Sequence, residues 1–143
     1  MSRNAALLAR VLLLQILLIC PCLAADAYIS DYASGKRLYA FDGVNLRSYS
    51  DGKRLYAVDD RGIRAHASGR RLFVIEGDVL KEYTSGKRRL VLDGRRIKEY
   101  GTGKLLLEFD GRVVKSFGSR RGLLRVDGMV PPLLLALIAL GML

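Results

Sequence analysis

A 17-residue period governs most of this chain. Tyr32, Tyr49, His66, Tyr83, Tyr100 and Phe117 stand at equal steps of 17, and each opens a copy of one pattern, the sixth truncated near Val130. Self-similarity at a short fixed period means supersecondary units whose core forms only when neighbours pack together. With the aromatic as position 1, position 4 is Gly in the first five copies: Gly35, Gly52, Gly69, Gly86 and Gly103. Position 11 is acidic in all six (Asp42, Asp59, Glu76, Asp93, Asp110, Asp127), and position 12 is Gly except at Asp60. Each copy therefore carries two turn signals, the mark of a β-hairpin repeat.

The odd period discriminates between hairpin geometries. Two two-residue turns would leave 13 of the 17 residues for two unequal strands. A three-residue turn at positions 2 to 4, with Gly left-handed as a G1 bulge, and a two-residue Asp-Gly type I′ turn leave 12, six per strand. Position 8 then faces position 15 across both turns.

Strand alternation sorts this register onto two faces. Positions 6, 8, 10, 13, 15 and 17 share one face, and its centre is apolar in every copy: Tyr39, Tyr56, Phe73, Leu90, Leu107 and Leu124 at position 8, with Leu46, Ile63, Leu80, Ile97 and Val114 at position 15. Positions 1, 5, 7, 9, 14 and 16 share the other. There, Leu at position 7 (Arg89 in the fourth copy) alternates with cations at positions 5 and 16. The expectation is an all-β fold, an antiparallel meander of about six hairpins, closed on itself or folded into two layers. One such face needs a cover, which closure, a second layer or a helix would supply.

The two ends differ from the repeat. Residues 1–25 have Arg3 and Arg10 before an apolar run from Val11 to Ile19, then Ala24, Ala25 and Ala27, the layout of a secretory signal peptide. Cleavage after Ala24, Ala25 or Ala27 fits, and an uncleaved N-terminal anchor is the alternative. Cys20 and Cys22 both fall in this leader, so the mature chain has no disulfide framework or thiol chemistry. Residues 26–128 form the repeat domain. Residues 129–143 are an apolar tail ending in LLLALIALGML after Pro131-Pro132. This is shorter than the ~20 residues of a spanning helix. A shallow membrane anchor is the expectation and a helix packed on the domain the alternative.

The segments DGKRLYAVD, SGRRLFVIEG and TGKLLLEFDG, alternating with LRSY and IKEY, resemble the short β-hairpin repeats of bacterial 4-fold beta flower proteins, and more loosely MORN-type repeats. The resemblance runs from Tyr32 to about Gly128 and consists of rhythm: Gly-Lys turns and apolar triplets. It implies a structural or interaction module, with no catalytic residue to carry over.

No catalytic constellation emerges from the residues. His66, the single histidine, replaces an aromatic at position 1. No Cys/His cluster can ligate a transition metal. The position-11 acids come one per copy, as turn chemistry requires, rather than grouped as calcium ligands. Gly101-Thr102-Gly103-Lys104 lacks the context of a phosphate loop. No enzyme activity and no cofactor are expected.

The cations remain. Without Arg3 and Arg10 the chain keeps 22 Lys and Arg against 14 Asp and Glu. Lys36, Lys53, Arg70, Lys87 and Lys104 at position 5, with Arg47, Arg64, Lys81, Lys98 and Lys115 at position 16, are the candidate anion-binding residues. Cations that guard strand edges are the alternative. The expected protein is a non-catalytic exported module of the periplasm or cell envelope, a scaffold or a binder of anionic glycopolymer or lipid headgroups. Its partners are membrane or envelope polymer, with no nucleic acid.

Overall fold

The computed structural model describes residues 25–143; the leader and its two cysteines lie outside the described residues. Twelve strands follow in sequence: β1 (Ala27–Asp31), β2 (Arg37–Phe41), β3 (Asn45–Ser48), β4 (Arg54–Asp59), β5 (Gly62–Ala65), β6 (Arg71–Glu76), β7 (Val79–Glu82), β8 (Arg88–Asp93), β9 (Arg96–Glu99), β10 (Leu105–Asp110), β11 (Val113–Ser116) and β12 (Gly122–Asp127). One helix, α1 (Pro132–Ala139), closes the chain. Each strand pairs antiparallel with its sequence neighbours, and β1 also pairs with β12, so the meander is a closed barrel.

The closure completes the truncated copy. β12 is the first strand of the sixth copy, and β1 supplies its missing partner. Ile29 faces Val126 as Ile63 faces Val58, and Tyr28 faces Asp127 as Gly62 faces Asp59. Ile29 lies 17 residues before Leu46 and is the sixth member of the position-15 column. Gly122, at position 6 of this copy, leaves room for the Tyr32 ring: a Cβ there would lie 2.6 Å from ring carbons. The clasp adds the amide of Tyr32 donating to the carbonyl of Leu123.

The turns differ in detail from the expected ones. In the third, fourth and fifth copies the two-residue loop at the acidic turn is Gly-Xaa, at positions 12 and 13; in the second it is Asp60-Arg61. Glu76 pairs with Val79, Asp93 with Arg96 and Asp110 with Val113. Gly77, Gly94 and Gly111 have φ of 60°, 61° and 57° and the next residues do not share it, the type II′ pattern. The opposite loop has four residues, positions 1 to 4, closed by the Ser48 amide on the Lys53 carbonyl in the second copy. Its Gly at position 4 is left-handed as expected, φ 66–71°.

These turns alter the register. Position 15 faces position 10 across the acidic turn and position 8 across the glycine loop, as in Val58–Ile63 and Ile63–Phe73. Strands are therefore alternately long and short. The register slips once per copy, as between Leu80 and Lys81 opposite Leu90 and Arg88, leaving position 7 as the extra residue of a bulge. The bulge moves position 6 off the expected core face. Arg37, Arg54 and Arg88 are exposed there. Leu38, Leu72, Leu106 and Leu123 at position 7 pack half-buried against the core.

The core is a ring around a rod. Ile29, Leu46, Ile63, Leu80, Ile97 and Val114 are at most 1% exposed. Eight strands make a barrel that side chains alone can fill, and diameter grows with strand number, so twelve leave a lumen. α1 joins the ring in one buried cluster. Leu133 to Leu137 are five consecutive buried residues, which point in all directions around a helix. Only a helix enclosed on every side buries them all. Proline in the first turn costs α1 no hydrogen bond. At its far end Gly141 is left-handed, and the amides of Gly141 and Met142 reach the carbonyls of Ile138 and Leu137, a Schellman closure. In this structure the tail is a helix packed on the domain, with its apolar side chains against the barrel wall. Among the described residues no helix is long and apolar enough to cross a membrane.

This packing makes α1 indispensable to the barrel. Leu137→Ala is expected to lower the unfolding free energy by about 2–5 kcal/mol. Removal of residues 129–143 is expected to abolish cooperative urea unfolding. Circular dichroism during denaturation checks both.

Candidate functional site

The ten candidate cations separate into two belts with different electrostatics. Those at position 16 lie beside the acidic turns and are paired. Lys81 Nζ is 2.6 Å from Glu76, Lys98 Nζ 2.6 Å from Asp93 and Lys115 Nζ 3.0 Å from Asp110. Arg64 reaches Asp59 at 3.2 Å, and Arg47 reaches Asp26 at 2.6 Å. The Asp42 carboxylate instead accepts the amides of Val44 and Asn45. In the second to fifth copies the acid at position 11 serves the cation five residues later, and Asp59 also accepts the turn amides of Arg61 and Gly62.

The hydrogen bond from Lys98, then its charge, holds the Asp93 carboxyl below its ordinary value of 3.8; Lys115 acts likewise on Asp110. Lys81 holds Glu76 below 4.5 in the same way. The Asp110 carboxylate in turn raises the Lys115 ammonium above 10.5.

The position-5 cations occupy the other end of the barrel. Lys36, Lys53, Arg70, Lys87 and Lys104 are exposed, and none makes a salt bridge among the described residues. Their amides are fixed while their side chains are free. In every copy the position-5 N–H donates to the side-chain oxygen at position 3, from Ser34, Asp51, Ser68, Ser85, Thr102 or Ser119. This is the turn chemistry expected of Ser, Thr and Asp.

A third set, at position 6, was not among the candidates. The Arg37 guanidinium lies 4.3 Å from the Tyr28 ring centroid and 5.5 Å from that of Tyr49. Arg71 lies 5.9 Å from the Tyr83 centroid, and Arg88 lies 5.3 Å from that of Tyr100 while donating to its hydroxyl at 2.7 Å. The Arg-to-Tyr spacing of 12 in Arg37/Tyr49, Arg71/Tyr83 and Arg88/Tyr100 is the signal that could have found them. Position 1 is thus an exposed aromatic platform, with Tyr32, Tyr49, Tyr83 and Tyr100 40–56% exposed.

The net charge is segregated along the barrel axis. The glycine-loop rim (positions 17 and 1 to 6 of each copy) carries eleven Lys and Arg against four Asp and Glu, an excess of seven. The rest of the chain after Ala25 carries eleven against ten, an excess of one. No group of three or more His, Cys, Asp or Glu among the described residues could hold a metal ion. No family model matches the chain, and no curated protein or solved structure matches it.

The lowered carboxyl values have a signed consequence. A depressed folded-state pKa stabilises above the unfolded value and loses that contribution as pH falls through the folded one. The urea midpoint is expected to hold level from pH 7 to about 5.5 and to fall below about 4.5. The combined variant Glu76→Gln, Asp93→Asn, Asp110→Asn should fall less steeply. Identical slopes would show that the exposed pairs contribute nothing.

Proposed function

We propose that this protein is a non-catalytic, exported cell-envelope module, a rigid barrel whose glycine-loop rim binds an anionic surface of glycopolymer or lipid headgroups. The observation that carries the reading is the excess of seven cations on one rim, with the position-5 side chains free of carboxylate partners. Edge protection does not explain them, because a closed barrel has no strand edge to guard. The six loops share one length and one register, so their cations lie at a common height around the ring and face a flat or repeating anionic partner together. Exposed tyrosines beside them supply amphipathic contact surface.

Export rests on the leader. Ala27 begins β1 and Asp26 pairs with Arg47, so cleavage after Ala24 or Ala25 preserves both. Intact mass of the exported protein reads the cleavage point directly; a mass retaining residues 1–24 overturns cleavage.

Substitution of Lys36, Lys53, Arg70, Lys87 and Lys104 together by Gln is expected to weaken binding to anionic vesicles or wall polymer by at least about tenfold. Substitution of the paired Arg64, Lys81 and Lys98 should cost far less. Wild-type binding should fall steeply from 0.1 M to 1 M salt as the screening length drops from ~10 Å to ~3 Å. Binding indifferent to salt and to the five substitutions would overturn the proposal.

A further inference from the structure

Position 7 is Leu in five copies and Arg in one. Leu38, Leu72, Leu106 and Leu123 gain apolar contact with the core there, and Arg89 forgoes it. The fold does not ask for the exchange. The bulge and loop around Arg89 match those of other copies: Lys81 faces Arg88, Leu80 faces Leu90, and the Tyr100 amide donates to the Arg89 carbonyl.

Arg89 opens onto a surface groove of about 600 Å³, between the loop before β8 and the loop after β9. Lys81, Lys87, Arg88, Tyr100 and Thr102 line it with Arg89. In a regular strand Arg88 and Arg89 would point to opposite faces. A bulge re-aims a side chain, and here both arginines line one groove. Arg88 is already held, by the Tyr100 hydroxyl at 2.7 Å. Arg89 Nε lies 3.5 Å from Glu82, a long pair that leaves its other donors to a ligand. Glu99, also in the groove, is occupied by the Thr102 hydroxyl at 2.6 Å.

The geometry points to a discrete site in this groove for a sugar phosphate, its phosphoryl group held by Arg88, Arg89 and Lys87 and its ring against Tyr100. Paired guanidiniums suit the oxygens of a phosphoryl group, which accepts forked hydrogen bonds. The volume exceeds what a bare phosphate fills and lies in the range of small-molecule sites. Tyr100 is 40% exposed, which leaves ring surface for a ligand beside Arg88. The site shares Lys87 and Arg88 with the basic rim but depends on Arg89, which the other copies lack.

The experiment is an NMR titration of ¹⁵N-labelled protein with glucose 6-phosphate, and separately with inorganic phosphate and with glucose. Shifts are expected to concentrate at Gly86, Arg89, Gly101 and Thr102, with glucose 6-phosphate at least about tenfold tighter than either probe. Arg89→Leu installs the repeat's own residue, so it keeps the fold, and it should weaken glucose 6-phosphate by about tenfold or more. Arg71→Gln in the third copy should leave that affinity unchanged. Shifts spread evenly over all six loops, equal affinity for inorganic phosphate, or an unaffected Arg89→Leu variant would each overturn the site. Vesicle binding separates this site from the rim: Arg89→Leu should retain it. Loss of sugar phosphate with vesicle binding intact in wild type would sink the groove alone, and the reverse would sink the rim alone.

Discussion

The apolar contact between α1 and the position-15 ring is the interaction on which the rest of the structure depends. Six hairpins in identical register form a closed ring, and closure fixes the strand number at twelve. A ring of that size is too wide for its own side chains to fill. An empty apolar lumen would forfeit packing on every strand at once. Leu133 to Leu137 fill it from one short element, which explains an apolar tail with no charged residue and no polar face. The repeat determines the hole, and the tail is shaped to it.

Closure also explains where the chain begins its repeat. Six aromatic anchors give six first strands but only five following second strands, and the sixth comes from Ala27–Asp31 before the first anchor. The ring is thereby sealed by hydrogen bonds between its two ends, in the register used everywhere else. With both edges paired to each other, no row of unpaired backbone groups is left to recruit another chain.

Much of the fold was legible because the period isolates what each position must do. The glycine at position 4 and the apolar columns at 8, 10 and 15 each have one physical explanation, and the structure uses them so; the acid at position 11, read as part of the turn, stands instead on the strand before it. The bulge was not legible, because Leu at position 7 fits a half-covered outer face as well as an inner one. Its consequence, Arg at position 6 turned outward, could be read only from the twelve-residue spacing to the next tyrosine. β1 was hidden because it has neither anchor aromatic nor turn glycine, although Ile29 sits one period before Leu46. The tail was ambiguous for a deeper reason: lumen and bilayer make the same demand on a helix, apolar side chains all round.

The split of the candidate cations follows from turn chemistry. A Gly-Xaa turn keeps its preceding acid on the strand, where that carboxylate reaches the cation at position 16. The second to fifth copies are thereby neutralised near their acidic turns. The glycine loop needs only a hydroxyl or carboxylate at position 3 and a left-handed residue at position 4, Gly in five copies and Arg120 (φ 54°) in the sixth; it fixes the amide of position 5 and leaves its side chain unconstrained. Six independent choices of Lys or Arg, with Arg121 in the sixth copy, at a position that the fold leaves open cannot be traced to turn, register or core. Cations that satisfy no internal partner raise the self-repulsion of the barrel. On the proposed reading an external anion would relieve that repulsion, and the rim is where the unpaired cations are concentrated.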